Sequence, residues 1–302
     1  MPKRSVFSVQ IFRRILALTL CLALFFSGSQ LPALAELYTP SYDIEERKAL
    51  HEAGETAGEV TVLAELTDRR EENVKQFRMS DRSIRAIVYA QPVHYQEDGE
   101  WKEINNSLKP DGTGRYVNTA SDFEVSLAGR SNSPQLIGIR QGDYALSWSY
   151  VQPEQIGSED ASMRDELTAA VLEIEEPPVP VSDYAEKTVE EAAQAGIGNT
   201  IANVRYRNVQ PHTDLSYQVV GKSVKENIIV NARQSRYRYE FLLQAEGLTL
   251  EVDEEGGAIT ADDRETGKTI FQIPAAVMYD AAGADSTAVG YELEEIERGR
   301  YR

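Results

Sequence analysis

The strongest constraint on this chain is a two-residue rhythm of large apolar side chains, interrupted at short intervals by turn residues. Tyr144, Leu146, Trp148 and Tyr150 stand two apart, as do Leu215, Tyr217 and Val219, and again Tyr237, Tyr239, Phe241 and Leu243. Side chains on an extended strand alternate between its two faces, so this spacing sends one face of each segment into a core and leaves the other to water. Between such runs lie Glu97-Asp98-Gly99, Asp111-Gly112, Gln141-Gly142-Asp143, Glu254-Glu255-Gly256-Gly257 and Asp262–Gly267. Asp-Gly between two alternating runs is a strong hairpin signal, because both turn residues must accept positive φ. Short strands at this spacing predict an all-β fold of antiparallel, sandwich-like packing, as two packed modules or one extended one. No long amphipathic helix is present to cover a parallel sheet.

The alternation does not run the length of the chain. Residues 1–35 read as a secretory signal peptide: Lys3, Arg4, Arg13 and Arg14 precede the apolar run Ile15–Phe26, and Ser27-Gly28 breaks it. Ala33 and Ala35 flank Leu34 in an A-x-A site, which places cleavage between Ala35 and Glu36. The apolar run falls short of the roughly 20 residues that span a bilayer, so no stable membrane insertion is expected after cleavage. Residues 36–58 form a leader. The first β-rich block covers 59–150 and the second 201–302. Between them, 151–200 reads as an acidic linker or insertion, with helical composition over Met163–Ile174 and Val181–Ala195 on either side of Glu175–Pro180. That Pro-rich stretch suits neither a helix interior nor a central strand.

Cys21, within the apolar run, is the only cysteine, and Leu20 before it is unsuited to lipidation. The chain after Ala35 therefore has no disulfide, no Cys-ligated zinc and no thiol nucleophile. Four of the 31 Lys and Arg lie in residues 1–35 and none of the 49 Asp and Glu, so the remainder carries 27 against 49, a net charge of −22. Such a chain is repelled by nucleic acid and by anionic lipid.

Motifs for chemistry are scarce. His51, His94 and His212 match no metal or catalytic spacing, and His94 reads as a strand-surface or half-buried residue. Asp253-Glu254-Glu255 and Asp262-Asp263 read as solvated turns, with no calcium-loop spacing. No catalytic, metal-binding or cofactor-binding residue is assigned, and no cofactor is expected. Trp101, Trp148, Tyr237 and Tyr239 are the candidate ligand-facing aromatics, since rings on strands can stack on sugars, although aromatics in strands more often fill cores. Gly196 and Gly198 lack the residues that would make a phosphate loop, and Asn105-Asn106-Ser107 reads as a turn.

Ala86–Leu108, which contains PVHYQEDGEWKEINNSL, Asp214–Tyr217, VKENIIV at 224–230, and Phe271–Asp280 together resemble the N-terminal region of large clostridial wall-associated proteins. Those proteins carry a DNRLRE domain and RHS (YD) repeats further along. The resemblance implies a surface or wall-associated β module and supplies no catalytic residues; this sequence departs from the family in reaching Arg302 before any DNRLRE or RHS segment. The expected location is extracellular or cell-wall-associated, with cell-envelope components or other surface proteins as partners and no nucleic acid. The expected role is structural or interactive. The alternatives are a wall-glycan-binding module and an exported hydrolase using paired carboxylates.

Overall fold

The computed structural model describes residues 59–151, 169–175, 181–234, 237–253 and 257–302. The signal peptide with its cleavage site at Ala33, Ala35 and Glu36, the leader, and Met163 to residue 168 lie outside the described residues. The fold is all-β, built from antiparallel sheets. In chain order, β1 (Val62–Glu65), β2 (Val74–Met79) and β3 (Ile84–Val88) form a three-stranded sheet, and β4 (His94–Glu97) and β5 (Glu100–Glu103) form a hairpin. Glu97 faces Glu100 across it, and Asp98 and Gly99 turn the chain at φ 54° and 82°. Both positive values are what a two-residue turn matched to strand twist requires, and Gly99 supplies one without steric cost.

Five strands follow: β6 (Asn105–Pro110), β7 (Arg115–Ala120), β8 (Glu124–Ala128), β9 (Ile137–Gln141) and β10 (Tyr144–Val151). Next come β11 (Leu172–Glu175), the helix α1 (Val189–Gly198), and the long hairpin strands β12 (Ile201–Gln210), β13 (Thr213–Val220) and β14 (Ser223–Val230). The chain ends with β15 (Glu240–Glu246), β16 (Leu248–Val252), β17 (Ile259–Asp263), β18 (Thr269–Ile273), β19 (Met278–Tyr279), β20 (Asp285–Ser286), β21 (Glu295–Glu297) and β22 (Arg300–Tyr301). An eight-stranded sheet has the order β21-β22-β15-β10-β9-β8-β7-β6, and a four-stranded sheet the order β11-β12-β13-β14. Strands β16 to β18 make a further three-stranded sheet, and β19 pairs with β20. The eight-stranded sheet thus draws strands from both β-rich blocks, and residues 60–302 form one compact unit.

The alternation builds the main core. Val125, Leu127, Ile137 and Leu146 from the eight-stranded sheet meet Val204, Tyr206, Leu215 and Tyr217 from the four-stranded one, with Leu248 and Phe271 at one side. Burying such side chains contributes about 1.5–3 kcal/mol each, which is the fold's main source of stability in a chain without disulfides. Tyr206 and Tyr217 pack edge to face with centroids 6.1 Å apart, and the Tyr206 hydroxyl donates to the Ala128 carbonyl at 2.6 Å. The second core is smaller: Val62, Phe77, Met79, Tyr184 and Ala192, between β1, β2 and α1.

Three local details depart from the sequence reading. Leu172–Glu175 is a strand rather than part of a helix, because pairing with β12 buries Leu172. The second helical stretch narrows to Val189–Gly198, where Thr188 and Glu191 close a capping box that satisfies donors at the first turn. Tyr237 and Tyr239 precede β15 rather than lying in it. Within the described residues, no helix is long and apolar enough to cross a membrane.

Asn106, in the segment that suggested a surface turn, is fully buried. Its amide donates to the carbonyls of Thr200 at 2.7 Å and Gly221 at 2.9 Å, and its oxygen accepts from Asn118 at 3.0 Å. It thereby ties β6 to the turns on either side of the β12–β13 hairpin. Asn106→Ala takes the side-chain donor from both carbonyls, leaving that of Thr200 only the Gly221 amide, and is expected to cost about 1–3 kcal/mol in urea unfolding. The exposed Val88→Thr is expected to change stability by less than about 0.5 kcal/mol.

Candidate functional site

One residue breaks the rule that strands bury their apolar side. In β2 the buried face reads Lys75, Phe77, Met79, and the Lys75 side chain is 1 % exposed. A buried ammonium needs charged partners, and the neighbouring elements bring them. Glu65 from the end of β1, His94 from β4 and Glu103 from β5 converge on it. Lys75 Nζ lies 3.4 Å from Glu65 Oε1 and 3.3 Å from His94 Nε2, and it contacts Glu103 Oε1 directly. Arg70 grips Glu65 with two hydrogen bonds of 2.8 Å, and its Nη2 lies 3.6 Å from Glu103 Oε1. Tyr184, just ahead of α1, donates its hydroxyl to Glu103 Oε1 at 3.0 Å, and its ring centroid is 5.0 Å from Lys75 Nζ.

The imidazole is fixed by its other nitrogen. His94 Nδ1 is 2.6 Å from the Glu71 carbonyl oxygen, which can only accept, so Nδ1 carries a proton. Nε2 then turns its lone pair toward the ammonium, its nearest polar neighbour; Glu65 Oε1 is further, at 3.7 Å. His94 is therefore fully buried and engaged, where the sequence suggested a strand-surface or half-buried residue. Burial would raise the Glu65 carboxyl, but the two Arg70 hydrogen bonds and the charges of Arg70 and Lys75 beside it hold it well below the usual carboxylate range. Burial, with the charges of Glu65 and Glu103, pushes the Tyr89 phenol up. Its hydroxyl is enclosed without a hydrogen-bond partner among the described residues, where a Cβ added to Gly196 of α1 would stand 2.3 Å away. Gly196 thus serves close packing over the cluster rather than a phosphate.

Glu65, His94 and Glu103 hold three potential metal-ligand atoms within 4.8 Å of one another. Lys75 stands among them with a positive charge of its own, in the place a cation would take. Two cations face two anions, which keeps the buried charges balanced.

Two other places merit description. The outward side of β7 to β10 and β15 forms an open depression of about 560 Å³, lined by short polar side chains such as Ser126, Gln135 and Ser147, with Tyr95 at one end. On the inner side, Trp148 donates its indole N–H to Glu226 at 3.1 Å, and Tyr217 hydrogen-bonds the same carboxyl at 3.3 Å. Burial pushes the Glu226 carboxyl up to about 7, although both donors favour its charged form.

The four candidate aromatics do not assemble into one platform. Trp101 is half-buried on β5, in a different sheet from Trp148 on β10. Trp148 packs against the main core. Tyr237 is exposed and accepts from the Gln234 amide, and half-buried Tyr239 donates to the Gln234 side chain. Of the acidic turns, Glu254 and Glu255 lie outside the described residues. Asp263 accepts from Thr266 and from Tyr144, as a turn cap would. The residues that sequence reasoning missed are Glu65, Arg70, Lys75, Glu103 and Tyr184; the available signal was a lysine in phase with Phe77 and Met79.

No family model matches the chain, and no solved structure matches it. A protein named "Wall-associated protein" from Geobacillus stearothermophilus is 22% identical over 223 residues, covering 72% of this chain and 75% of that protein.

Glu65→Gln takes from the largely enclosed Arg70 guanidinium the carboxylate it grips with two hydrogen bonds, and should cost about 3–5 kcal/mol in urea unfolding. A loss below about 1 kcal/mol would mean the cluster adds nothing that well-placed neutral groups could not. Glu226 should act through pH. Its folded value lies above the ordinary 4.5, so the folded chain holds the proton more tightly. Its contribution is full below 4.5 and is lost as pH rises to about 7. Urea midpoints should fall across that range in the wild type and fall less in Glu226→Gln; equal slopes would contradict the shift.

Proposed function

We propose that this protein is a secreted, cell-wall-associated β module with a structural or interaction role and no catalytic turnover. The observation that carries this reading is the likeness over most of both chains to a protein named as wall-associated. Three features support it. The N-terminal segment reads as a signal peptide ending at Ala35, the remainder is acidic and free of cysteine, and the resemblance of Ala86–Leu108 and 224–230 is to the front of DNRLRE and RHS-repeat surface proteins. Between β18 and β20 the consecutive Val277, Met278 and Tyr279 are exposed, an apolar stretch suited to contact. Large apolar side chains facing water are a common mark of interaction sites when they cluster.

Cell fractionation tests the reading. The mature protein should begin at Glu36 and partition with the wall or the medium, and purified wall should retain it. Recovery only from the cytosol with residues 1–35 intact would sink the proposal.

A further inference from the structure

We propose that Lys75 and Glu103 are joined by an intramolecular amide bond, formed between the lysine ε-amine and the glutamate side-chain carboxyl inside the folded protein. The groups that such a condensation needs are all in the buried cluster. The nucleophile is Lys75, 1 % exposed and in contact with Glu103 Oε1, one bond from the carbon it attacks. The base is at hand: His94 Nε2 faces Nζ at 3.3 Å and can take its proton, while the Glu65 carboxylate, with Oε1 3.4 Å from Nζ, holds the amine in place. The electrophile is the Glu103 carboxyl. Tyr184 donates to its Oε1 at 3.0 Å and the Arg70 guanidinium stands 3.6 Å away, both aimed at the oxygen on which negative charge grows when the amine adds.

The step balances within the chain. The Nζ–Cδ bond forms and the Cδ–Oε2 bond breaks. The departing oxygen takes two of the three ammonium protons and leaves as water, so no oxidant, cofactor or leaving group is required. Folding holds amine and carboxyl in contact, which replaces a bimolecular encounter by a unimolecular one. Enclosure of Lys75 by Tyr184, Phe77 and α1 limits the water that would reverse it. The charges that remain afterwards are already matched, because Arg70 and Glu65 pair through two hydrogen bonds of 2.8 Å. The bond would close the loop from β2 to β5, a covalent tie in a chain whose sequence after Ala35 can form no disulfide.

Peptide mapping of the purified, folded full chain decides it. Trypsin cleaves after a lysine only when its amine is free. The wild type should be lighter than its sequence by the mass of one water, should yield no fragment ending at Lys75, and should give a branched fragment joining the Lys75 and Glu103 segments. Lys75→Arg and Glu103→Ala should each restore the full mass. A folded wild type that releases a fragment ending at Lys75 and a separate, unmodified Glu103 fragment overturns the proposal. So does a missing water that persists in Lys75→Arg, since the loss then lies elsewhere.

Discussion

The N-terminal part of this fold depends on how one buried ammonium is neutralised. Lys75 takes a place in β2 where Phe77 and Met79 set an apolar pattern, and a lysine there is tolerable only if carboxylates come to it. They come from different elements: Glu65 from β1 and Glu103 from the β4–β5 hairpin, with His94 from that hairpin and Tyr184 from the approach to α1. Each of these elements is small, and a two-stranded hairpin has little stability alone. The charge requirement therefore acts as a specification: the sheet, hairpin and helix approach can be arranged in the one way that surrounds Nζ.

The rest of the molecule is organised by area rather than charge. The two larger sheets share a core of alternating aliphatic and tyrosine side chains, and two polar side chains inside it reach backbone carbonyls. Asn106 bridges the Thr200 and Gly221 carbonyls, and Tyr206 reaches the Ala128 carbonyl. Backbone bonds tie the hairpin and the large sheet to their neighbours: the Val93 and His94 amides donate to the Glu72 carbonyl, and the Asn106 amide of β6 to that of Asn199 at the end of α1. Cooperation between a charge-specified region and an area-specified one suits a chain whose sequence after Ala35 can form no disulfide.

Much of the fold was legible because period two and turn chemistry are local. The 144–150 and 215–219 runs lie in β10 and β13, and Asp98-Gly99 forms the two-residue turn its sequence asks for. The site was hidden because its logic is long-range. Lys75 lies between polar Gln76 and Val74 in a segment that looks unremarkable by hydropathy, and its partners stand 10 to 28 residues away in sequence, with Tyr184 beyond them. His94 looked like a strand-surface or half-buried residue because nothing next to it in sequence discloses the Glu71 carbonyl behind it or the ammonium in front. The aromatic candidates were chosen for their rings, whereas Trp148 is placed by its N–H bond to Glu226.

The Lys75 cluster holds the N-terminal sheet, the hairpin and α1 together as one cooperative region. Native-state hydrogen exchange of the full chain, wild type against Glu65→Gln, tests it most directly. The account predicts that amides in β2, β4 and α1 lose protection together, while those in the β12–β13 hairpin keep theirs. Equal acceleration throughout the molecule, or a change confined to the residues beside Glu65, would contradict it.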